Sequence, residues 1–340
     1  WFNGPPRRSE VPLAQPFTLF LVHHTHTDVG YTEAQHRIER WHVDFLRQVL
    51  ATLEERPAFR WVCETWWAVE RFLAEAESAE VEAFAGHVRA GRIGLSASYL
   101  NFSELLDAPV LRAVTARAGQ VAAAWGARVP CAMTADVNGF GWGFAEALLD
   151  AGAESLFTCV HTHHGMYPLG RTQAPFRWEA PDGRRVLVWS GEHYHMGNEL
   201  GLVPGANSSY LIKDECDAAT IFGDHRRVAA IRIPRYVEAL RERGYAFDFA
   251  PVMASGLRTD NGPPNPAVLD AVTWWNATEA ASTGIEVRMA VLEDVFDAVR
   301  AADVELPVHA GDWPDWWSDG PASRPASVKL FRQAQRDLAW

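Results

Sequence analysis

Short apolar runs alternate along this chain with longer stretches in which apolar residues return every three or four positions. Residues 17–22, 59–63, 92–95, 131–134, 155–160, 185–189, 251–254 and 285–289 are rich in β-branched, aromatic and other apolar side chains and read as strands buried on both faces. Residues 34–54, 66–84, 108–125, 143–151 and 292–302 carry helical spacing. Asp107 is placed to cap the third of these helices, and Pro109 is tolerated because it falls in the first turn. A strand–helix alternation predicts a parallel sheet with helices packed outside it. About eight strands over roughly 300 residues favour a barrel over an open sheet. Residues 198–216, with Gly, Pro, Ser and Asn, read as a long loop of the kind that covers sites.

Composition narrows the function more than the fold. The chain has 340 residues, 48% hydrophobic and 22% charged, as expected of a globular protein in water. A net charge of −12 without basic runs argues against a nucleic-acid partner. No apolar stretch reaches about 18 residues, so no membrane span is expected. Cys63, Cys131, Cys159 and Cys216 show no CxxC spacing, and three sit in strand-like runs. Buried free thiols and a cytoplasmic location are the expectation. No leader is visible, but the chain begins at Trp1 rather than Met, which keeps a lost N-terminal segment and secretion open. Asn-x-Ser/Thr triplets at Asn101, Asn207 and Asn276 would matter only in a secreted protein. Nothing in the sequence addresses oligomeric state.

Polar residues gather just past the strand ends: His24, His26 and Asp28; Glu64; Asp136; His161, His163 and His164; Glu192, His193 and His195; and Asp260. In barrels and open α/β sheets that face carries the chemistry. The sharpest pattern is His24-Thr25-His26-Thr27-Asp28-Val29-Gly30-Tyr31. In extended backbone every second side chain shares a face, so His24, His26 and Asp28 point together. Imidazole nitrogen and carboxylate oxygen suit Zn²⁺ or a similar divalent ion. A hydrogen-bonded loop end is the alternative. His161, His163 and His164 offer a second cluster, read either as a further metal site or as a loop lining the first. Asp312, Asp315 and Asp319 lack the ligand spacing of an EF-hand.

The segment HTHTDVGY resembles the H-x-H-x-D-x-G-aromatic motif at the first strand of family 38 α-mannosidases. The resemblance implies that His26 and Asp28 bind zinc and that Tyr31 packs under the sugar. The run TADVNGFG, residues 134–141, is similar to the family's D-x-F-G segment, with Asn138 and an extra residue interrupting it. That similarity implies that Asp136 is both nucleophile and zinc ligand. Residues 256–264, GLRTDNGPP, resemble the segment around the family's general acid and point to Asp260. Residues 315–325, DWWSDGPASRP, look like the family's entry into a helical bundle.

The resemblance implies a (β/α)7-type barrel of the glycoside hydrolase and deacetylase kind over residues 1–305. Residues 306–340 would be a linker and the first helix of a truncated helical domain. It implies a retaining α-mannosidase acting on a mannose-containing oligosaccharide or glycoconjugate. His193 and His195 are expected to reach substrate hydroxyls, and Trp317, with Trp313 and Trp316, to offer sugar platforms or helix-packing aromatics. One Zn²⁺ would be held by His26, Asp28 and Asp136, with a fourth ligand, a histidine, beyond residue 340; His309, Asp312 and His24 are the alternatives. Two rival functions remain. One is a metal-dependent polysaccharide deacetylase, whose usual H-x-x-x-H pair is missing here; the other is a non-catalytic carbohydrate-binding relative.

Overall fold

A computed structural model describes residues 16–30, 32–101, 105–137, 139–159, 168–206, 209–217, 223–313 and 319–338. At its centre lies β1 (Phe17–His24), buried along nearly its whole length. It pairs in parallel with β8 (Phe249–Ser255) on one side and β9 (Ile285–Met289) on the other. A second segment runs in parallel through β4 (Cys131–Ala135), β5 (Ser155–Cys159) and β7 (Arg185–Gly191). β6 (Ala174–Glu179) joins β7 antiparallel, and β10 (Val308–Ala310) pairs in parallel with β6. β2 (Trp61–Cys63) and β3 (Ile93–Leu95) form a third, short pair.

The α/β alternation read from the sequence is present. A closed barrel is not: among the described residues the strand ladders form three separate segments. The gaps have physical causes. Between β3 and β4 the Ser96 hydroxyl accepts from Met133 N at 2.9 Å, so a side chain stands where a ladder bond would run. β1 and β2 meet through side chains, with the His23 and Trp61 rings edge to face at 4.9 Å. β6 was not visible in the sequence because APFRWE mixes Pro, Arg and Glu into its apolar positions.

Helices cover the strands. Gln35–Glu55 turns Ile38, Val43, Leu46, Val49 and Leu53 inward. The helix expected over 66–84 is two, Trp66–Glu75 and Ser78–Arg89. The break falls at Glu77, whose N–H donates to Glu80 at 2.9 Å and starts the second helix with a capping box. His225–Glu242 escaped the sequence pattern because it is Arg-rich and holds Pro234. It buries Arg232 against the carboxylates of Asp214, at 2.7 Å, and Glu199, at 3.8 Å. Glu199 in turn accepts from the N–H groups of Tyr210 and Ile212, so this network ties part of the 198–216 segment to the domain.

Much of the tryptophan is core. Trp66, Trp178, Trp189, Trp275 and Trp313 are essentially inaccessible. Trp313, a candidate sugar platform by sequence, packs edge-on against Phe140, Phe176 and Trp178, and its backbone pairs with that of Phe140. Its pairing, like that of β10, extends the strand framework beyond residue 305. The four cysteines are buried and free. Among the described residues no helix is long and apolar enough to cross a membrane.

Candidate active site

β1 and β8 end in register, His24 opposite Ser255. Beyond their ends the two chains stay tied. Gly256 N donates to His24 O at 2.8 Å, His26 N to Ser255 Oγ at 3.0 Å, and Asn261 N to His26 O at 2.7 Å. The extended course of β1 therefore continues through the motif, and alternation carries His26 and Asp28 to the cleft. Gly256 makes the turn possible: its φ is +58°, and a Cβ there would overlap the Thr259 carbonyl oxygen. Asn261 holds Asp28 twice, accepting from its backbone N–H at 2.9 Å and donating to its carboxylate at 3.0 Å.

Asp136 enters from the end of β4. Its φ is +66°, unusual for a residue with a Cβ, and Val137 N donates to Ala135 O at 2.8 Å across it. Such backbone costs roughly 1–3 kcal/mol and persists where surrounding contacts impose it. The turn brings the Asp136 carboxylate to 3.8 Å from His26 Nε2, while Asp28 lies 3.9 Å from the same nitrogen. One ligand atom from each of His26, Asp28 and Asp136 falls within 4.8 Å of the others. Ligand bonds of about 2.0–2.2 Å would fit a divalent ion between atoms so spaced. A cavity of about 430 Å³ opens here, lined by these residues together with Glu64, Trp67 and Asn101.

His26 is turned toward this group by its other nitrogen, whose N–H donates to Glu64 Oε1 at 2.8 Å. Burial would depress the His26 pKa, but the Glu64 carboxylate outweighs it, with Asp136 and Asp28 assisting, and holds it up at about 9. Glu64 receives His24 Nδ1–H as well, at 2.6 Å. Burial pushes Glu64 upward, yet the two histidines win and keep it well below the usual carboxylate range. Asp136 is pushed up to about 6, first by burial, against His26 and with help from Asp28, Glu64 and Asp260. Carboxylates crowded around a single imidazole form the charge pattern a cation relieves.

On the opposite side Asp260 sits in the loop after β8. Its backbone N–H donates to His195 Nε2 at 3.0 Å, and Thr259 Oγ1 donates to its carboxylate at 2.8 Å. Burial drives the His195 pKa down to about 4, against the pull of Asp260, which suits an imidazole nitrogen acting as acceptor. Tyr194 links the two sides. Its hydroxyl donates to Asp260 at 3.4 Å while its ring lies over His26 at 4.6 Å. His193 accepts from His195 N at 3.1 Å and stacks between Tyr194 and Tyr210.

The sequence profile of the glycosyl hydrolases family 38 N-terminal domain matches residues 16–319. The chain belongs to glycosyl hydrolase family 38. An alpha-mannosidase from Enterococcus faecalis V583 superposes with a TM-score of 0.65 at 17% identity, over 87% of this chain and 31% of that one. A glycosyl hydrolase family 38 protein from Enterococcus faecalis gives 0.57 at 15% identity, over 88% of this chain and 29% of that one. The alpha-amylase AmyC from Thermotoga maritima gives 0.51 at 10% identity, over 89% and 78%. At these identities the likeness is one of fold. The chain spans less than a third of the length of the two Enterococcus structures. No curated protein matches it.

Within this family 38 domain, the structure brings His26, Asp28 and Asp136 together, with Asp260 close enough to bear on Asp136 electrostatically. His24, His309 and Asp312 do not join the group among the described residues. His24 is engaged by Glu64, His309 faces the Asp312 carbonyl at 3.2 Å, and Asp312 accepts from Trp142 N. Tyr31, Trp316, Trp317, His161, His163 and His164 lie outside the described residues. Asn101, Tyr194 and Asn261 were given no part in the site by sequence reasoning. Asn261 follows Asp260 directly, which was the one signal available; Asn101 and Tyr194 offered none that separates them from ordinary loop residues.

Proposed function

We propose that this domain is a retaining α-mannosidase-like glycoside hydrolase, active on α-linked mannose or a related sugar in glycans. The observation that carries it is the convergence of His26, Asp28 and Asp136 from two strand ends, with Asp260 facing them. Family membership supports the glycosidase class, and the α-mannosidase among its structural neighbours supports the sugar. In this reading the Asp136 carboxylate attacks the anomeric carbon and forms a glycosyl ester. Asp260 protonates the leaving oxygen and then takes a proton from the water that hydrolyses the ester. His26, Asp28 and Asp136 would hold one Zn²⁺, which supplies orientation of the sugar hydroxyls and charge stabilisation when bound. Tyr194 and His195 keep Asp260 in place through its carboxylate and its backbone N–H. His193, Tyr31 and Trp317 are read as sugar contacts.

The test is hydrolysis of an aryl α-mannoside by the full-length protein with zinc supplied. Free mannose released first as the α-anomer is expected, and Asp136→Ala should reduce release to background. Activity that survives Asp136→Ala would defeat the nucleophile assignment. Release of acetate from an acetylated glycan, without mannose, would identify a deacetylase instead, and sugar binding without turnover a carbohydrate-binding relative.

A further inference from the structure

The polar network behind the ligand group has a feature that simple burial of polar atoms does not require. One carboxylate, Glu64, lies at the end of β2 and serves two separate strands. Its Oε2 accepts from His24 Nδ1 at 2.6 Å, and its Oε1 accepts from His26 Nδ1 at 2.8 Å and from Asn101 Nδ2 at 2.7 Å. Asn101 passes the connection on, because its Oδ1 accepts from Ala135 N at 3.1 Å. Ala135 is the last residue of β4 and immediately precedes the strained Asp136.

We propose that Glu64 and Asn101 are positioning residues that set His26 and Asp136 jointly for a metal ion, through one hydrogen-bonded chain joining β1, β2 and β4. The inference rests on reading His26, Asp28 and Asp136 as metal ligands. A carboxylate only accepts, so His26 Nδ1 carries a proton, and Nε2, which faces Asp28 and Asp136, is the nitrogen left to take a metal ion. The same carboxylate, through the Asn101 amide, fixes the strand end from which Asp136 turns at φ +66°. Imidazole orientation and carboxylate placement therefore depend on a single buried group. A purely structural Glu64 would satisfy two histidines and have no bearing on ion affinity.

The experiment is zinc titration by calorimetry of the full-length parent, Glu64→Gln, Asn101→Asp and Asp28→Ala, with circular dichroism to establish folding. Glu64→Gln presents an N–H₂ group to at least one of three N–H donors, and zinc affinity should fall 10- to 100-fold in the folded variant. Asn101→Asp keeps the acceptor for Ala135 N but sets a carboxylate against Glu64, and affinity should fall in the same direction. Asn101 is only partly buried, so this variant carries the test if Glu64→Gln does not fold. Nitrogen NMR of the zinc-loaded parent should show the remaining His26 proton on Nδ1; a proton on Nε2 instead overturns this inference. Parent affinity in both folded variants beside a weakened Asp28→Ala overturns this inference alone. A parent that binds no zinc, or an Asp28→Ala that binds like the parent, overturns the metal-site reading and this inference with it.

Discussion

On the ligand side of the cleft, His26 and Asp136 follow directly from the ends of β1 and β4, and buried Glu64 and half-buried Asn101 brace them from behind. On the acid side, Asp260 sits in a loop past β8, fixed by a glycine turn and by contacts from Tyr194, His195 and Thr259. Strand ends place side chains with the precision of the sheet, whereas a loop needs its own set of local bonds. The contrast suggests that the two sides are separable: damage to one should leave the other's function measurable. Asn261 is the exception, since it belongs to the acid loop yet grips Asp28.

The largest effect that tests this separation is Asp260→Ala. Loss of a general acid is expected to cost about 10²–10⁴-fold in kcat, least for aryl mannosides with good leaving groups. Zinc affinity should stay within a few-fold of the parent. A parallel collapse of zinc binding, read by calorimetry, would show that the sides are one unit.

Asn261→Gly probes the exception. Asn261 has φ +57°, which glycine adopts without strain, so the substitution removes mainly the two bonds to Asp28. Zinc affinity should weaken about 10-fold, the lower end for a residue supporting a metal ligand. Unchanged affinity would mean that Asp28 needs no support from the acid loop.

Tyr194→Phe removes the hydroxyl that reaches Asp260 while keeping the ring over His26. The loss of one hydrogen bond is worth about 1 kcal/mol, so kcat should fall roughly five-fold. Zinc affinity should not move. A change in zinc affinity without a change in kcat would place Tyr194 on the ligand side instead.

The smallest effect lies outside the cleft and contrasts two carboxylates. Glu64, with two histidines, is held well below its ordinary range. Glu293 is pushed up to about 7, chiefly by burial, with its own backbone N–H opposing and Asp294 and Asp297 adding. The folded state therefore keeps a proton that the unfolded chain releases near 4.5, and stability falls as pH rises from about 4.5 to 7. Glu293→Gln removes that slope. Its melting temperature relative to the parent should rise by a few degrees more at pH 8 than at pH 4.5. An equal difference at both pH values would contradict the burial argument.

The sequence made the strand-end chemistry legible because alternation is a local rule. His26 and Asp28 share a face by spacing alone, and Asp136 follows a short apolar run that reads as a strand. On the acid side Asp260, His193 and His195 were readable as strand-end polar residues, but not how they are joined. The hydrogen bonds that place Asp260 come from Tyr194 and His195, far away in the chain, and no local pattern announces them. The α/β alternation was equally legible. Whether the strands close into the barrel favoured by the sequence was not, because that depends on which edges pair, and Ser96 occupies one of those edges with a side chain. β6 was hidden by its mixed composition and the His225–Glu242 helix by its arginines, one of which is buried only because carboxylates meet it.

The central claim is that His26, Asp28 and Asp136 form one metal site on the catalytic face. Anomalous diffraction at the zinc edge, from crystals of the full-length protein grown with Zn²⁺, tests it most directly. The account predicts a single strong peak within about 2.0–2.2 Å of His26 Nε2 and of an oxygen from each of Asp28 and Asp136. A peak on other residues, or none at these three side chains, would contradict it.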